Sequence, residues 1–590
     1  MTAIAIAVAR ATRMTRARAA PSGEEGKIGG IQAGPERRER EVFGELTQLS
    51  GRNFRTLRLF PRLSPPARER CGPPIPHHEN PLIRRRFTRR SVLKTSAAGA
   101  ASLGLAACGA DEYDPTLPRS ADVPNVLLIV TDSTRRDFVG AYNPRAIAHT
   151  PSIDAIARDA LMFETAVIDA MPTGLVRRAL LTGERGFPLR DWVPSPPLPV
   201  QPGWTPVLDY QPMFTEVLDE AGISTAYVTD NPFLVGPRYE GFRRTLDIAR
   251  PEFSQGAYRE YNTPFSRLAP RSAVDQYLLP ALSNTVEVRR LREYVGWNSL
   301  YRTSQKNYSA ARVVRGGMDA LDQLKNQQPF FLGVDIFDPH EPFDAPPTYV
   351  RLIDRRPKGV QLRGILPIEP FLTPASTVRA LDIDADTLEL IRELYAAELT
   401  FSDHWIGNLL HKLDELGLAD NTVVYYFSDH GVALGEHGVL GKSTPRPYWE
   451  LRDVPYMIRH PDGKMAGQTS GYYASSHDVA RTILSFMGVP APGIMNGEDL
   501  SVMFDGKQPT ARPYFTACYQ DTWISGDDDW VLIGPRAGEY WELYDRNADP
   551  GETVSVADRY PDKVAELIRV LNEEAGGTLP QFEDFGVIGG

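Results

Sequence analysis

Cysteine, long apolar runs and internal repeats are scarce or missing in this 590-residue sequence. Its three cysteines, Cys71, Cys108 and Cys518, cannot form a disulfide framework, so the fold must depend on an apolar core. No uninterrupted apolar run reaches membrane-spanning length, which argues against a polytopic membrane protein. The absence of a repeat of about 20 to 50 residues argues against a solenoid.

Positive charge is concentrated at the beginning of the chain. Residues 1–107 contain 20 Lys and Arg against 8 Asp and Glu, a net charge of +12, whereas the rest contains 45 against 67, a net charge of −22. This acidic remainder argues against a nucleic-acid-binding surface, so no nucleic-acid partner is expected. Because 42% of the residues are apolar and 24% are charged, the composition is that of a globular chain and excludes wholesale disorder.

An export signal is predicted well inside the chain. Thr88-Arg89-Arg90-Ser91-Val92-Leu93-Lys94 resembles the twin-arginine export motif, and residues 95–107 follow it as a short Ala-rich apolar segment. Leu105-Ala106-Ala107-Cys108 resembles a bacterial lipobox, in which Cys108 would be lipidated and become the first residue of the mature chain. We therefore expect an exported protein, periplasmic or at the cell surface, whose membrane contact is a lipid anchor at Cys108.

This signal divides the sequence into segments. Residues 1–83 are rich in Arg, Ala, Pro and Gly, and they are predicted to be either a disordered basic arm or sequence translated from a start codon placed too early. Residues 84–107 are the predicted signal peptide, and residues 108–122 are a polar tether. The predicted catalytic domain covers 123–508 with an insertion at 235–310, and a small α+β subdomain covers 509–590.

Apolar runs alternate with helical patterns in the predicted catalytic domain. Residues 126–130, 225–228, 330–336 and 423–427 are such runs, which are typical of strands buried on both faces of a parallel sheet. A long amphipathic helix is predicted at 388–413 and is expected to end near Gly417. The alternation predicts an α/β fold with a mostly parallel central sheet sandwiched by helices.

Polar side chains suited to catalysis or metal binding follow three of these runs. Asp132 follows the first run, Asp338 and His340 follow the third, and Asp429 and His430 follow the fourth. A single Asp after a strand is usually a turn residue, but ligands of open α/β sheets collect at the carboxyl ends of strands. Asp132, Asp429 and His430, which we call the ligand cluster, could together bind one divalent cation.

Several motifs then occur in a recognisable order. They are Asn125–Asp132, Asp429-His430-Gly431, Gly435-Glu436-His437-Gly438 with Lys442, and Glu542-Leu543-Tyr544-Asp545 with Asp549-Pro550 and Glu552. They resemble the opening strand, second metal strand, active-site lysine and C-terminal signature of the sulfatase family, within the alkaline phosphatase superfamily. The resemblance covers roughly 123–575 and implies an alkaline phosphatase-like fold with hydrolase activity on ester bonds.

The nucleophile position departs from the family pattern. When the sequence is aligned on Thr182-Gly183, that position is Thr173, and Arg177 matches the family arginine, whereas Leu175 replaces the usual proline. Classical members carry a Cys or Ser that is oxidised to formylglycine, so no formylglycine is expected at Thr173. Because a threonine ester cannot collapse to an aldehyde, water must attack the sulfur or phosphorus. This favours phosphate or phosphonate esters over sulfate esters.

The resemblance also implies a role for each candidate residue. One divalent ion (Ca²⁺, Mn²⁺ or Mg²⁺) held by the ligand cluster would polarise the ester oxygen and stabilise the alkoxide of Thr173, the nucleophile. Arg177 would orient Thr173, and Lys442 would stabilise oxygens of the transition state. His340 would protonate the leaving group as general acid. The expected substrate is a small-molecule, glycan or lipid ester.

Two other functions compete with ester hydrolysis. One is a non-catalytic sulfatase-like surface lipoprotein that binds a ligand, and the other is a membrane-anchored transferase that uses the same nucleophile on lipid-linked groups. The presence of Thr173, Arg177, Lys442 and the complete ligand cluster favours the hydrolase, because a chain that had lost catalysis should lack some of them.

Overall fold

The computed structural model describes residues 123–190, 211–235, 240–252, 268–274, 286–298, 302–355, 383–442, 446–519, 522–535 and 540–580. The predicted N-terminal extension, signal peptide and tether lie outside the described residues. Residues Ala107–Gly590 belong to one compact unit. Among the described helices, none is long and apolar enough to span a membrane.

The strands follow one another along the chain as β1 (Asn125–Thr131), β2 (Leu161–Phe163), β3 (Ala170–Met171), β4 (Ser224–Thr229), β5 (Ile248–Pro251), β6 (Phe330–Ile336), β7 (Thr422–Ser428), β8 (Ala433–Leu434), β9 (Leu440–Gly441), β10 (Tyr456–Arg459), β11 (Gln468–Ser470), β12 (Phe515–Tyr519), β13 (Thr522–Gly526), β14 (Trp530–Pro535) and β15 (Glu542–Asp545).

The α-helices are α1 (Pro151–Arg158), α2 (Thr173–Thr182), α3 (Phe214–Glu220), α4 (Pro232–Val235), α5 (Glu240–Arg243), α6 (Val286–Asn298), α7 (Ser309–Leu324), α8 (Pro347–Ile353), α9 (Ala385–Glu415), α10 (Trp449–Arg452), α11 (Asp478–Phe486) and α12 (Pro561–Glu574).

A central eight-stranded sheet has the order β11-β2-β10-β7-β1-β6-β4-β5. Its strands are parallel except β10, which pairs antiparallel with both β7 and β2. Every residue of β1, β6 and β7 is buried, because helices cover both faces of the sheet. The predicted α/β fold with a mostly parallel central sheet is confirmed. The predicted insertion contributes β5, an edge strand of this sheet.

Helices on the two faces of the sheet pack on separate apolar clusters. Leu127 and Ile129 of β1 belong to the cluster that also contains apolar residues of α1, α7 and α9, whereas Val126 and Leu128 belong to the cluster with α2, α3 and α11. This alternation follows from the two-residue period of a strand. The long helix α9 begins after Asp384, whose side chain accepts a hydrogen bond from Thr387 N, and Gly417 with φ +66° lies just beyond its end.

A second, five-stranded sheet has the order β15-β14-β13-β12-β3. Its C-terminal strands form antiparallel pairs, and α12 packs against β12 and β13. The short strand β3 comes from the N-terminal part of the chain and pairs parallel with β12, with Ala170 opposite Cys518 and Met171 opposite Tyr519. The C-terminal sheet therefore fixes the backbone immediately before Thr173.

Candidate functional site

The register of the central sheet brings three strand ends together. Thr131, the last residue of β1, lies opposite Ile336 of β6 and Ser428 of β7. Beyond the strands, Asp132 N donates to Ile336 O and Asp429 N donates to Thr131 O, both at 3.1 Å. The carboxyl ends of β1, β6 and β7 thus meet at one edge of the sheet, as the residue pattern predicted.

The ligand cluster is buried at this edge. One ligand atom each from Asp132, Asp429 and His430 lies within 4.8 Å of the others. Asp132 Oδ1 accepts a hydrogen bond from Ser133 Oγ at 2.7 Å, but the buried Oδ2 has no hydrogen-bond partner among the described residues. Two carboxylates and an imidazole are a ligand set that suits a divalent cation, and the orphaned oxygen is an available ligand atom. The residues present therefore fit a divalent ion.

The two carboxyl groups of the ligand cluster differ in acidity. Burial is the main cause that raises the pKa of Asp132 well above its ordinary value, and the nearby Asp429 adds to this effect. Burial is also the largest single influence on Asp429 and acts to raise its pKa, but Arg177, His430 and hydrogen bonds to the carboxylate together hold that pKa well below the ordinary value. Asp429 is therefore a carboxylate already paired with a cation in the protein.

Thr173 is the first residue of α2, and its hydroxyl points at the ligand cluster. Thr173 Oγ1 lies 3.0 Å from His430 Nε2, while His430 Nδ1 lies 2.9 Å from the carbonyl oxygen of Gly431. Because a carbonyl only accepts, Nδ1 carries the proton and Nε2 accepts from the threonine hydroxyl. Burial lowers the pKa of His430 to about 4, so the imidazole is neutral at pH 7.

The position that follows His430 has room only for a glycine. A Cβ atom at Gly431 would lie 1.9 Å from the carbonyl oxygen of Glu450, which no side chain tolerates. Gly431 N also donates to Leu451 O at 2.8 Å. The close approach of this backbone holds the Gly431 carbonyl where it fixes the His430 ring.

Arg177 lies one helical turn after Thr173 and is completely buried. Its Nε and Nη2 atoms donate to the two carboxylate oxygens of Asp335 at 3.1 and 2.8 Å. Its Nη1 atom donates to Asp429 Oδ2 and lies 3.6 Å from Asp132 Oδ2. The guanidinium therefore neutralises the ligand cluster from the helix side and ties α2 to the ends of β1, β6 and β7.

Asp335 was not among the predicted site residues. It is the penultimate residue of β6, and its Oδ2 also accepts a hydrogen bond from the hydroxyl of Tyr227 at 3.1 Å. The Tyr227 ring reaches it across Gly333, where a Cβ atom would lie 2.3 Å from the ring. Asp335 orients Arg177 and does not belong to the ligand cluster.

Lys442 contacts a second residue that the sequence did not single out, Glu341. Its Nζ donates to both carboxylate oxygens of Glu341 at 3.0 Å and to Ser133 Oγ at 3.3 Å. Because Ser133 Oγ in turn donates to Asp132 Oδ1, Lys442 is linked to the ligand cluster through one hydroxyl. The hydroxyl of Tyr519, at the end of β12, donates to the Lys442 carbonyl at 2.8 Å.

His340 adjoins the same carboxylate. Its Nδ1 lies 2.7 Å from the carbonyl oxygen of Glu341, so Nδ1 donates there and Nε2 points elsewhere. Nε2 is 3.6 Å from Glu341 Oε1, and the ring stacks on Phe337 with centroids 4.1 Å apart. The imidazole is thus held by two of its neighbours in the loop after β6.

Comparison with protein-family models identifies the family of the chain. The model of the sulfatase family matches residues 124–489, which is more than half of the chain. The chain belongs to the sulfatase family. A second family model, N-sulphoglucosamine sulphohydrolase C-terminal, matches residues 435–576 of the chain. Membership makes the protein a hydrolase of ester bonds.

Relatives of this sulfatase-family chain include enzymes named for different ester groups. An N-acetylglucosamine-6-O-sulfatase of Bacteroides thetaiotaomicron is 24% identical over 547 residues, covering 82% of this chain and 90% of the relative. A multifunctional alkaline phosphatase superfamily protein of Trinickia caryophylli is 26% identical over 412 residues, covering 64% and 76%. The solved structure of a phosphonate monoester hydrolase from Agrobacterium radiobacter has a TM-score of 0.57 at 19% identity, covering 77% and 96%. That similarity confirms the alkaline phosphatase-like fold.

Proposed function

We propose that this sulfatase-family protein hydrolyses phosphate or phosphonate esters, with sulfate esters as the less favoured alternative, through a covalent intermediate on Thr173. The observation that carries the proposal is the position of the Thr173 hydroxyl. It lies at the start of a buried helix, 3.0 Å from the Nε2 atom of neutral His430 and next to the carboxylates of the ligand cluster. A hydroxyl there is aimed at the place where a bound ester would meet the site.

Activity is proposed to need one divalent ion (Ca²⁺, Mn²⁺ or Mg²⁺) held by Asp132, Asp429 and His430. When bound, such an ion supplies charge that polarises the ester oxygen and stabilises the threonine alkoxide. The residues of the chain do the remaining work. The Thr173 hydroxyl loses its proton to solvent, and Oγ1 attacks the phosphorus or sulfur atom in line with the leaving group. The bond between Oγ1 and the phosphorus or sulfur forms as the bond to the leaving oxygen breaks.

The remaining candidate residues handle charge and protons. Arg177 holds its position through Asp335 and counters the negative charge close to Thr173, while Lys442 stabilises the oxygens of the transition state. His340 delivers a proton from Nε2 to the leaving oxygen, and the Glu341 carboxylate 3.6 Å away pairs with the protonated ring. Water then attacks the phosphorus or sulfur and gives a proton to His340 Nε2, while the bond to Thr173 Oγ1 breaks and the threonine oxygen takes a proton back from solvent.

The threonine is what favours phosphate and phosphonate over sulfate. An ester of a formylglycine hydrate can release its sulfate or phosphate group by forming an aldehyde. The ester of Thr173 cannot do so, because its carbon carries a methyl group and no second hydroxyl. The intermediate must therefore be hydrolysed at phosphorus or sulfur. Similarity to a phosphonate monoester hydrolase and to a multifunctional superfamily protein is compatible with this proposal.

The test is a rate panel on the full chain. Aryl sulfate, phosphate monoester, phosphate diester and phosphonate monoester substrates with the same aryl leaving group are each assayed after chelation and after addition of Mn²⁺, Ca²⁺ or Mg²⁺. We expect metal-dependent turnover that is faster on a phosphate or phosphonate ester than on the sulfate. No turnover of any ester by metal-loaded protein would favour the non-catalytic binding function, and transfer to a lipid-linked acceptor without hydrolysis would favour the transferase.

We also propose that the protein is exported and lipid-anchored at Cys108. The support is the order of the Arg89-Arg90 pair, the apolar segment and Leu105-Ala106-Ala107-Cys108 in the sequence. Cell fractionation of wild type, of the double variant Arg89→Lys and Arg90→Lys, and of Cys108→Ala tests it. The arginine variant should stay in the cytoplasm, and Cys108→Ala should lose membrane association. An unchanged distribution of both variants would contradict the proposal.

A further inference from the structure

Glu341, which the proposed mechanism uses only to pair with the protonated His340 ring, also contacts the lysine that would meet the anion. Glu341 is only 7% exposed, and both of its oxygens accept hydrogen bonds from Lys442 at 3.0 Å. Lys442 is also the cation that would meet the oxygens of a bound ester. A buried bidentate contact of this kind cancels most of the positive charge that Lys442 would otherwise offer to a ligand.

Arg177, the other fixed cation of the site, is also neutralised by carboxylates. Arg177 faces Asp335 through two parallel hydrogen bonds and Asp429 through a third. The hydrogen-bonded site therefore contains two fixed cations, Arg177 and Lys442, and four carboxyl groups. Those groups are Asp132, Asp335, Asp429 and Glu341. A bound divalent ion adds the same charge whether or not Glu341 is present, so the contribution of Glu341 can be considered by itself.

Substrates of the proposed reaction differ in charge at the reacting group. Phosphate diesters, phosphonate monoesters and sulfate monoesters carry one negative charge, whereas phosphate monoesters carry two near and above neutral pH. The second charge of a dianion would face a lysine that Glu341 already neutralises, and it would be repelled by Glu341 itself. In a water-poor site this repulsion is much stronger than in bulk solvent.

We propose that Glu341 is a specificity-determining residue that disfavours doubly charged esters, so that the site selects esters whose reacting group carries a single negative charge. This inference rests on the proposed function, because it concerns the anion that the Thr173 site binds. It narrows the substrate class to phosphate diesters, phosphonate monoesters and sulfate monoesters. Removal of the Glu341 charge should shift the balance of affinity toward dianions by about tenfold. This value lies near the lower end of the range for one unit charge at close range, which runs from about fivefold in bulk water to about a thousandfold in a medium of intermediate dielectric constant.

The experiment measures anion binding without turnover. Benzenesulfonate and phenylphosphonate share a ring and a tetrahedral head group, and neither contains an ester bond that the enzyme could hydrolyse. At alkaline pH the first is a monoanion and the second a dianion. Their affinities for the Mn²⁺-loaded full chain are measured by calorimetry for wild type, Glu341→Gln and Glu341→Asp. Glu573→Gln is the control, because Glu573 is an exposed carboxylate of α12 that pairs with Arg569.

Glu341→Gln should raise the affinity for phenylphosphonate relative to benzenesulfonate about tenfold. Glu341→Asp, which keeps the charge, and Glu573→Gln should leave that ratio as in wild type. The kinetic counterpart is a matching rise in kcat/KM for an aryl phosphate monoester relative to the diester.

An unchanged ratio in Glu341→Gln, in a protein that binds both anions, would overturn the assignment of Glu341 and leave the proposed function intact. An equal shift in Glu341→Asp would also overturn it, because packing and not charge would then be responsible. A wild type that binds neither anion and turns over no ester would instead refute the proposed function, and the inference would fall with it.

Discussion

Arg177→Met should destabilise the metal-free protein strongly, because Arg177 neutralises several buried carboxylates at once. The guanidinium is completely buried and contacts Asp335 with two nitrogens and Asp429 with the third. Removing one partner of a buried ion pair costs about 3–5 kcal/mol, because it leaves an uncompensated charge away from water. For a chain of this size the unfolding entropy is about 1 kcal/mol per degree, so the melting temperature should fall by about 3–5 °C.

Thermal and urea unfolding in the presence of a chelator measure this effect. Arg569→Met is the matched control, since Arg569 pairs with Glu573 on the exposed face of α12, where an ion pair contributes little to stability. Arg177→Lys should recover only part of the loss, because one ammonium cannot make the fork of bonds to Asp335. An Arg177→Met variant as stable as wild type under chelation would refute the role assigned to this guanidinium.

Two further predictions concern residues around the site. Tyr519→Phe removes the hydrogen bond to the Lys442 carbonyl, and urea unfolding should show a loss of about 1 kcal/mol in stability. Steady-state rates should show a severalfold lower kcat. An unchanged kcat would mean that this bond does not position Lys442. Burial raises the pKa of Glu450 to about 8, so the folded state holds a proton that the unfolded chain has lost. Stability should therefore fall as pH rises from about 4 to 8, less steeply in Glu450→Gln, and equal slopes would contradict this.

Four of the eight strands of the central sheet were predictable because they are buried on both faces. A parallel strand covered by helices on each side is mostly apolar, and β1, β4, β6 and β7 fall on the four apolar runs of the sequence. The approach of Asp132 to Asp429 was also predictable, because adjacent parallel strands end at the same edge. The sequence around Asp132 and Asp429 is therefore enough to predict that the two side chains lie close together.

Asp335 and Glu341 could not be found in the same way. Asp335 lies inside an apolar run, and its charge is tolerated only because Arg177, 158 residues earlier in the chain, pairs with it. Glu341 pairs with Lys442, which lies 101 residues later. Neither pairing leaves a local pattern in the sequence. The same is true of β3, a two-residue strand whose partner β12 lies in the C-terminal sheet.

The central claim is that the Thr173 hydroxyl is the nucleophile, and the kcat of Thr173→Ala tests it most directly. The measurement uses the best ester of the rate panel, metal-loaded protein, and Thr173→Ser as the variant that keeps a hydroxyl in the same place. Thr173→Ala should lose at least about three orders of magnitude in kcat while it still melts near the wild-type temperature, and Thr173→Ser should retain measurable turnover. Wild-type kcat in a folded Thr173→Ala variant would contradict the account.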